Sequence, residues 1–310
     1  MKIQNPYDCL IILGPTASGK TKLAVELAYQ LRGEILSADS RMVYKKMDIG
    51  TGKDLEDYHF LDMPIPYHLI DLVEPDEPYF VSQFQADFKQ AFEEVKLRSK
   101  LPIICGGSGL YLEAVIQDFV YTKVPVTPNF KENLDSFSLE ELKEKFEQYP
   151  YHDFKLTADH QTLKRAKRAL EIIDYLSRNP EYYLPQSQPL KPFTIGLNPD
   201  INTRKEKILQ RLIYRIENGL PEEVEALLNS GISKDRIRFF GLEYKFILAY
   251  LEGEFNKELL IERLGTAIQQ FAKRQMTYFR KMEKSGIKIH WVQTKNEAME
   301  TIINQFILPK

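Results

Sequence analysis

The eight residues Gly14-Pro-Thr-Ala-Ser-Gly-Lys-Thr21 constrain this chain most, because they satisfy G-x-x-x-x-G-K-[ST] in the setting that gives the pattern meaning. Tyr7–Leu13, an apolar run of strand length, leads into them. Leu23, Leu27 and Leu31 follow at helical spacing, and Gly33 closes that helix. A strand that turns through glycines into a helix aims backbone N–H groups and the positive helix end at one point. A di- or triphosphate belongs there. Gly14, Pro15, Thr16, Ala17, Ser18 and Gly19 are expected to form the cradle, Lys20 to neutralise phosphate and the Thr21 hydroxyl to hold Mg²⁺. The loop does not select a nucleoside, and no N-K-x-D base-reading motif follows it.

The same alternation continues beyond the loop. Glu34–Ala38, Tyr67–Val73, Leu101–Cys105 and Phe193–Leu197 read as short buried strands. Between them, Phe84, Phe88, Phe92 and Val95 mark a helix over 82–96, and the segments SGLYLEAVI and 202–219 read as further helices. This order predicts an α/β fold of the P-loop NTPase-like kind, a parallel sheet flanked by helices on both faces. From Val124 to about Ser177 the chain turns helical and charged with no strand, and the four prolines of 179–192 exclude regular structure there. The predicted organisation is a catalytic core of 1–123 and 192–310 with an inserted mainly helical domain at 124–191.

At 310 residues the chain exceeds the roughly 250–300 at which a single core stops growing. Apolar residues at 43% exclude disorder as the main state, and no apolar run is long enough to span a bilayer. Cys9 and Cys105 both sit in apolar strand-like runs, so two buried thiols in a cytoplasmic protein are expected. The five histidines lack metal-ligand spacing, and Trp291 reads as a packing residue. A net charge of −2 conceals segregation: residues 54–94 hold eleven acids against one base, Lys89, whereas QTLKRAKR at 161–168 holds four bases and no acid. Such segregation leaves nucleic acid open as a partner, beside the plainer reading of a solvated helix face.

Four further residues could carry chemistry. Asp39 ends the second strand, on the sheet edge where ligands bind, and could hold Mg²⁺, accept a proton, or cap a turn. Ser108 lies in Gly106-Gly107-Ser108-Gly109 after another strand, where it could orient a reacting group or cap the next helix. Arg211 and Arg215 lie one helical turn apart and can face one side.

The blocks GPTASGKT, SADSRMVYKKMDIGTGKD, YHLIDLVEPDEPYFVSQF, GGSGLYLEAV, RALEII and AKRQMTYFRK together resemble the tRNA dimethylallyltransferase family, also called tRNA isopentenyltransferase. The likeness runs from Leu10 to about Trp291. It implies transfer of a dimethylallyl group from dimethylallyl diphosphate to N6 of the adenine 3′ of the anticodon in tRNA. It also implies a P-loop core whose helical insertion grips the anticodon stem. By motif, Asp39 would be the general base, Ser108 the orienting hydroxyl, and Arg215 a clamp on the diphosphate held by 18–21. Asp39, Ser40, Arg41 and Met42, then Lys164, Arg165, Ala166, Lys167 and Arg168, then Arg238, Phe239, Phe240, Gly241, Leu242 and Glu243 match the family's tRNA-contacting stretches. A cytoplasmic monomer with no membrane attachment is expected.

The chain departs from the family pattern at three points. Ser108 replaces threonine, Gln161-Thr162 replaces Asn-Asp, and Leu242-Glu243 replaces Tyr-Arg/Lys, which reverses a charge. With two cysteines only, the zinc finger of eukaryotic members has no counterpart. Two rival readings keep the phosphate loop: a transferase acting on free adenine nucleotides, and a small-molecule kinase in which Asp39 activates a hydroxyl. Neither needs the basic run at 164–168.

Overall fold

The computed structural model describes residues 6–127, 130, 132–150 and 152–307. In chain order it runs β1 (Cys9–Leu13), α1 (Lys20–Leu31), β2 (Gly33–Ser37), the short antiparallel pair β3 (His59–Phe60) and β4 (Met63–Pro64), then β5 (Tyr67–His68), α2 (Val81–Leu97), β6 (Leu101–Gly106) and α3 (Gly109–Gln117). Next come α4 (Leu139–Glu147), α5 (Phe154–Thr157) and α6 (Leu163–Arg178). The chain then forms β7 (Pro192–Leu197), α7 (Ile201–Glu217), α8 (Leu220–Asn229), α9 (Lys234–Phe239) and α10 (Leu242–Leu251). It ends with α11 (Lys257–Lys284), β8 (His290–Val292) and α12 (Lys295–Ile302).

Six parallel strands make one sheet in the order β5-β2-β6-β1-β7-β8, with β1 paired to β6 on one side and β7 on the other. The chain goes from β1 outward to β2, returns to place β6 between them, and then crosses β1 to β7. This reversal opens a crevice at the carboxyl ends beside β1, the position where such sheets bind ligands. Cys9, Ile11 and Leu13 of β1 enter one core and Leu10 and Ile12 the other. With both faces covered, the strands read as unbroken apolar runs rather than alternating ones. Both cysteines are buried free thiols, and Trp291 packs on Phe279 while its indole N–H donates to Glu283 (2.9 Å).

The fifth strand is shorter than expected. Only Tyr67–His68 pairs with β2, because Leu69 (φ 67°) and Asp71 (φ 57°) are left-handed and cannot continue a ladder. The departure has a local cause: it turns the Asp71 carboxylate onto the fully buried Lys53 ammonium, which also donates to Tyr44 O and Asp48 Oδ1, each at 2.7 Å.

The chain forms two compact units, Met1–Ile116 with Pro189–Lys310, and Gln117–Gln188. The divisions therefore fall at Gln117 and Gln188 instead of Val124 and Lys191. Leu190 N–H already donates to Ile116 O (2.9 Å) within the larger unit, while Tyr121 packs in the core of the smaller one. That smaller unit buries Leu142, Phe146, Phe154, Ala166, Leu170 and Ile173 together. A reciprocal Ser138–Glu141 capping box starts α4. Thr162 Oγ accepts from Arg165 N–H at the start of α6, so threonine preserves the cap where the family has aspartate.

Candidate active site

The phosphate loop leaves β1 at the centre of the crevice. Ala17 (φ 60°) and Gly19 (φ 89°) are left-handed, and a Cβ on Gly14 would overlap the Leu197 carbonyl, so the turn needs glycine where it packs on β7. Helix α1 begins at Gly19 with no side-chain cap, which leaves its first-turn N–H groups and positive dipole end for an anion. Ser18 is 3% exposed and its Oγ has no partner among the described residues. Burying a hydroxyl unmatched costs about 1–3 kcal/mol. An oxygen of a bound ligand would remove that cost.

Cations converge on the same loop. Burial pulls the Lys20 ammonium below the ordinary lysine range, and nearby Arg211 adds to the shift against the opposing pull of Cys105 and Asp39. Burial, then the neighbouring Arg215, brings the Arg211 guanidinium down to about 10. Arg215 is buried on α7 and donates to Asp54 Oδ2 at 2.9 Å. Gly52 allows this, since a Cβ there would overlap the Arg215 guanidinium and lie 2.9 Å from Arg211 Nη2. Thr16 and Ala17 of the loop share one cleft with Arg211, Arg215 and Glu243. Cations that disfavour one another's charge form a site whose stability improves when an anion enters.

Asp39 stands half-buried just beyond β2, close enough to act electrostatically on both Lys20 and Cys105. Its Oδ1 accepts from Arg41 N–H (2.9 Å). Ser108 Oγ accepts from Ser40 N–H (3.0 Å) and donates to Ser40 Oγ (3.2 Å), so its hydroxyl tethers the Asp39 turn rather than capping α3. The Thr21 hydroxyl lies beside the Cys105 thiol, whose pKa burial pushes up to about 11. A neutral thiol is a weak partner and leaves that oxygen available. Among the described residues no three His, Cys, Asp or Glu side chains cluster to hold a metal. The Thr21 hydroxyl beside a phosphate cradle fits Mg²⁺ that arrives with its phosphates, for this ion rarely uses an all-protein cage.

The expected RNA-contacting stretches divide by exposure. Arg41 and Arg236 each lie 5.0 Å from the ring of Phe239, which is 49% exposed, so two cations flank an accessible aromatic. Phe240 is 1% exposed and packs on Tyr44 and Tyr244; it belongs to the core and offers no surface to RNA. Ala166 is likewise 1% exposed, on the apolar face of α6. Glu243 does not face outward with that segment either. It lines the arginine cleft, where burial pushes its carboxyl up while Arg215 and Arg211 hold it down. In the basic run, Lys164 and Arg165 are exposed, Lys167 pairs with Asp135, and Arg168 pairs with Glu171 and donates to Val124 O (2.6 Å).

Two further contributors join the site, and only Gln275 lies outside the residues named from the sequence. Arg211 was visible as the i−4 neighbour of Arg215. Gln275 is the polar member of an apolar stripe on α11, with Ala272, Met276, Phe279 and Met282, and that mismatch was its signal.

Comparison with known proteins agrees with this architecture. The IPP transferase family model matches residues 42–282. A tRNA dimethylallyltransferase 2 from Phocaeicola vulgatus is 46% identical over 303 residues, spanning 96% of this chain and 97% of the relative. A tRNA dimethylallyltransferase 1 from Parabacteroides distasonis is 44% identical over 96% of this chain and 95% of its own length. The crystal structure of a tRNA isopentenylpyrophosphate transferase from Bacillus halodurans superposes with a TM-score of 0.67 at 32% identity, covering 94% of both chains. A eukaryotic dimethylallyltransferase acting on tRNA shares the fold, with a TM-score of 0.76 at 23% identity over 96% of this chain and 79% of that one. By these matches the chain is an enzyme that belongs to the IPP transferase family, the tRNA dimethylallyltransferases.

Proposed function

We propose that this enzyme transfers a dimethylallyl group from dimethylallyl diphosphate to N6 of the adenine immediately 3′ of the anticodon in tRNA, acting as a cytoplasmic monomer. The carrying observation is a cleft in which the phosphate loop meets Arg211 and Arg215, with Lys20 on the same loop and the Asp39 carboxylate close enough to act on it electrostatically. The bond between C1 of the dimethylallyl group and the diphosphate oxygen breaks, and its electron pair leaves with diphosphate. N6 bonds to C1, and the proton lost from N6 passes to the Asp39 carboxylate. Lys20, Arg211, Arg215 and the loop N–H groups bind the leaving group where charge develops most. Ser108 fixes the Asp39 turn through Ser40. Mg²⁺ bound with the diphosphate would meet the Thr21 hydroxyl and supply further neutralisation of the leaving charge. Incubation with labelled dimethylallyl diphosphate and Mg²⁺, and either bulk tRNA or AMP, ADP and ATP, tests the reading. Label in tRNA supports it; label in free nucleotide, or in neither, rejects it.

RNA binding falls to the exposed cations of α6. Replacing Lys164 and Arg165 by Gln is expected to weaken every tRNA similarly and to lower the slope of log affinity against log salt by about one per lost phosphate contact. Affinity for dimethylallyl diphosphate stays unchanged. The Arg165–Asp159 pair is exposed on both sides and opposes this little. Dissociation constants across a salt series provide the check: slopes parallel to wild type make this run a solvated face.

Phe239→Ala is expected to weaken tRNA by about 1–3 kcal/mol, the usual worth of one stacked base, while melting temperature holds. Phe240→Ala does the reverse, since it empties a core position. Equal tRNA affinities for the Phe239 variant and wild type would remove the stacking role.

A further inference from the structure

The α11 residue Gln275 takes part in two hydrogen bonds that join the loops around the crevice. Its Oε1 accepts from Thr16 N–H at 2.8 Å, inside the phosphate loop, and its Nε2 donates to Gly107 O at 2.9 Å, in the loop after β6. Gln275 is 8% exposed; its bond to Gly107 O is buried and its bond to Thr16 N–H partly so. Gly107 is shaped for the contact: a Cβ there would lie 2.6 Å from Gln275 Nε2 and 3.3 Å from the Gly14 carbonyl. From Gly107 the path continues through Ser108, whose hydroxyl holds Ser40, and so to the turn that carries Asp39. A single carboxamide, donating at one end and accepting at the other, thus links the loop for the leaving group to the loop for the base.

We infer that Gln275 is a positioning residue that sets the spacing between the phosphate cradle and the Asp39 turn. The inference rests on the transferase reading above. Only an amide does both jobs. Glutamate would set a carboxylate against the Gly107 carbonyl and a negative charge near the diphosphate, and asparagine is one methylene short. Because both ends of the carboxamide are engaged by backbone groups, its loss should act on the rate at saturation. KM for each substrate should change far less.

The test uses Gln275→Met, which keeps the volume and removes both bonds, beside Phe279→Leu as a control for core damage on the same helix. Phe279 is fully buried and packs on Trp291. The expected result is a fall in kcat on the order of 10²-fold for Gln275→Met, the scale of a misplacement of about 1 Å. KM for dimethylallyl diphosphate and for tRNA should move less than threefold. Hydrogen exchange at the Thr16 amide should quicken in the same variant, whatever the activity. Phe279→Leu should lower the melting temperature and leave both kcat and the Thr16 amide alone. Gly107→Ala reaches the same bond from the opposite side and should reproduce the kcat loss if α11 does not tolerate methionine. A folded variant with wild-type kcat overturns the inference, as does an equal kcat loss in the control. Wild-type protein that transfers nothing to tRNA would instead reject the proposed reaction, and the Thr16 amide would still decide whether the link exists.

Discussion

Asp39→Asn is expected to slow the chemical step by roughly 10²–10⁴-fold, the usual worth of a positioned general base. The substitution is mild in structure. Asp39 Oδ1 accepts from Arg41 N–H, and the asparagine carbonyl can accept the same bond. The turn therefore survives, together with the Ser108–Ser40 tether beside it. What disappears is the negative charge and the capacity to take the N6 proton. Diphosphate affinity should hold or rise slightly, because a carboxylate near Lys20 has been neutralised. Single-turnover rates with saturating tRNA and dimethylallyl diphosphate measure the effect. An unchanged rate removes Asp39 from the mechanism. Ser108→Ala should cost less, since it loosens the turn without removing the base, and Ser108→Thr should be tolerated.

Lys20→Ala and Arg215→Ala are expected to weaken diphosphate binding and also to slow transfer, each by roughly 10²–10³ in rate, the scale seen when one donor to a developing anion is lost. The two differ in their structural consequences. Among the described residues Lys20 has no ion-pair partner, so its loss leaves no orphaned charge. Arg215 leaves behind Asp54, itself about half exposed, and space against Gly52. Arg215→Lys should recover only part of the loss, because an ammonium cannot reproduce the planar fork held between Asp54 and the cleft. Transfer rate against dimethylallyl diphosphate concentration separates binding from chemistry. If Arg215→Ala impaired tRNA binding alone, the placement of α7 against the diphosphate would be wrong.

Much of this arrangement is legible in the sequence. Strand, glycine loop and helix at 7–33 are local in sequence, and the physics that forms them is local too. The reversal of Glu243 was readable only as an altered charge, because its position depends on how α10 meets α7. The family resemblance put it with an RNA-contacting segment, whereas tertiary packing sets it among the arginines. The Tyr67–Val73 run carries the apolar pattern of a strand throughout, yet the buried Lys53 draws Asp71 out of register and the ladder stops. No pattern in 67–73 announces a lysine 18 residues earlier. Ala166 and Phe240 fall within stretches that the family resemblance marks as tRNA-contacting, whereas helix geometry turns every third or fourth side chain inward. Gln275 was legible as a polar residue on an apolar stripe. Its two partners, 259 and 168 residues away in the chain, were not.

In the proposed reaction Asp39 accepts the proton that leaves adenine N6, so the most direct measurement removes that amino group from the substrate. Two synthetic anticodon stem-loops, alike except for adenine or unsubstituted purine 3′ of the anticodon, are each offered with labelled dimethylallyl diphosphate and Mg²⁺. Both should bind with similar affinity, because phosphate contacts carry no information about that base. Only the adenine stem-loop should become labelled, and Asp39→Asn should suppress that labelling without weakening its binding. Label on the purine stem-loop, or full labelling of the adenine stem-loop by the Asp39 variant, would contradict transfer to N6 with Asp39 as the base.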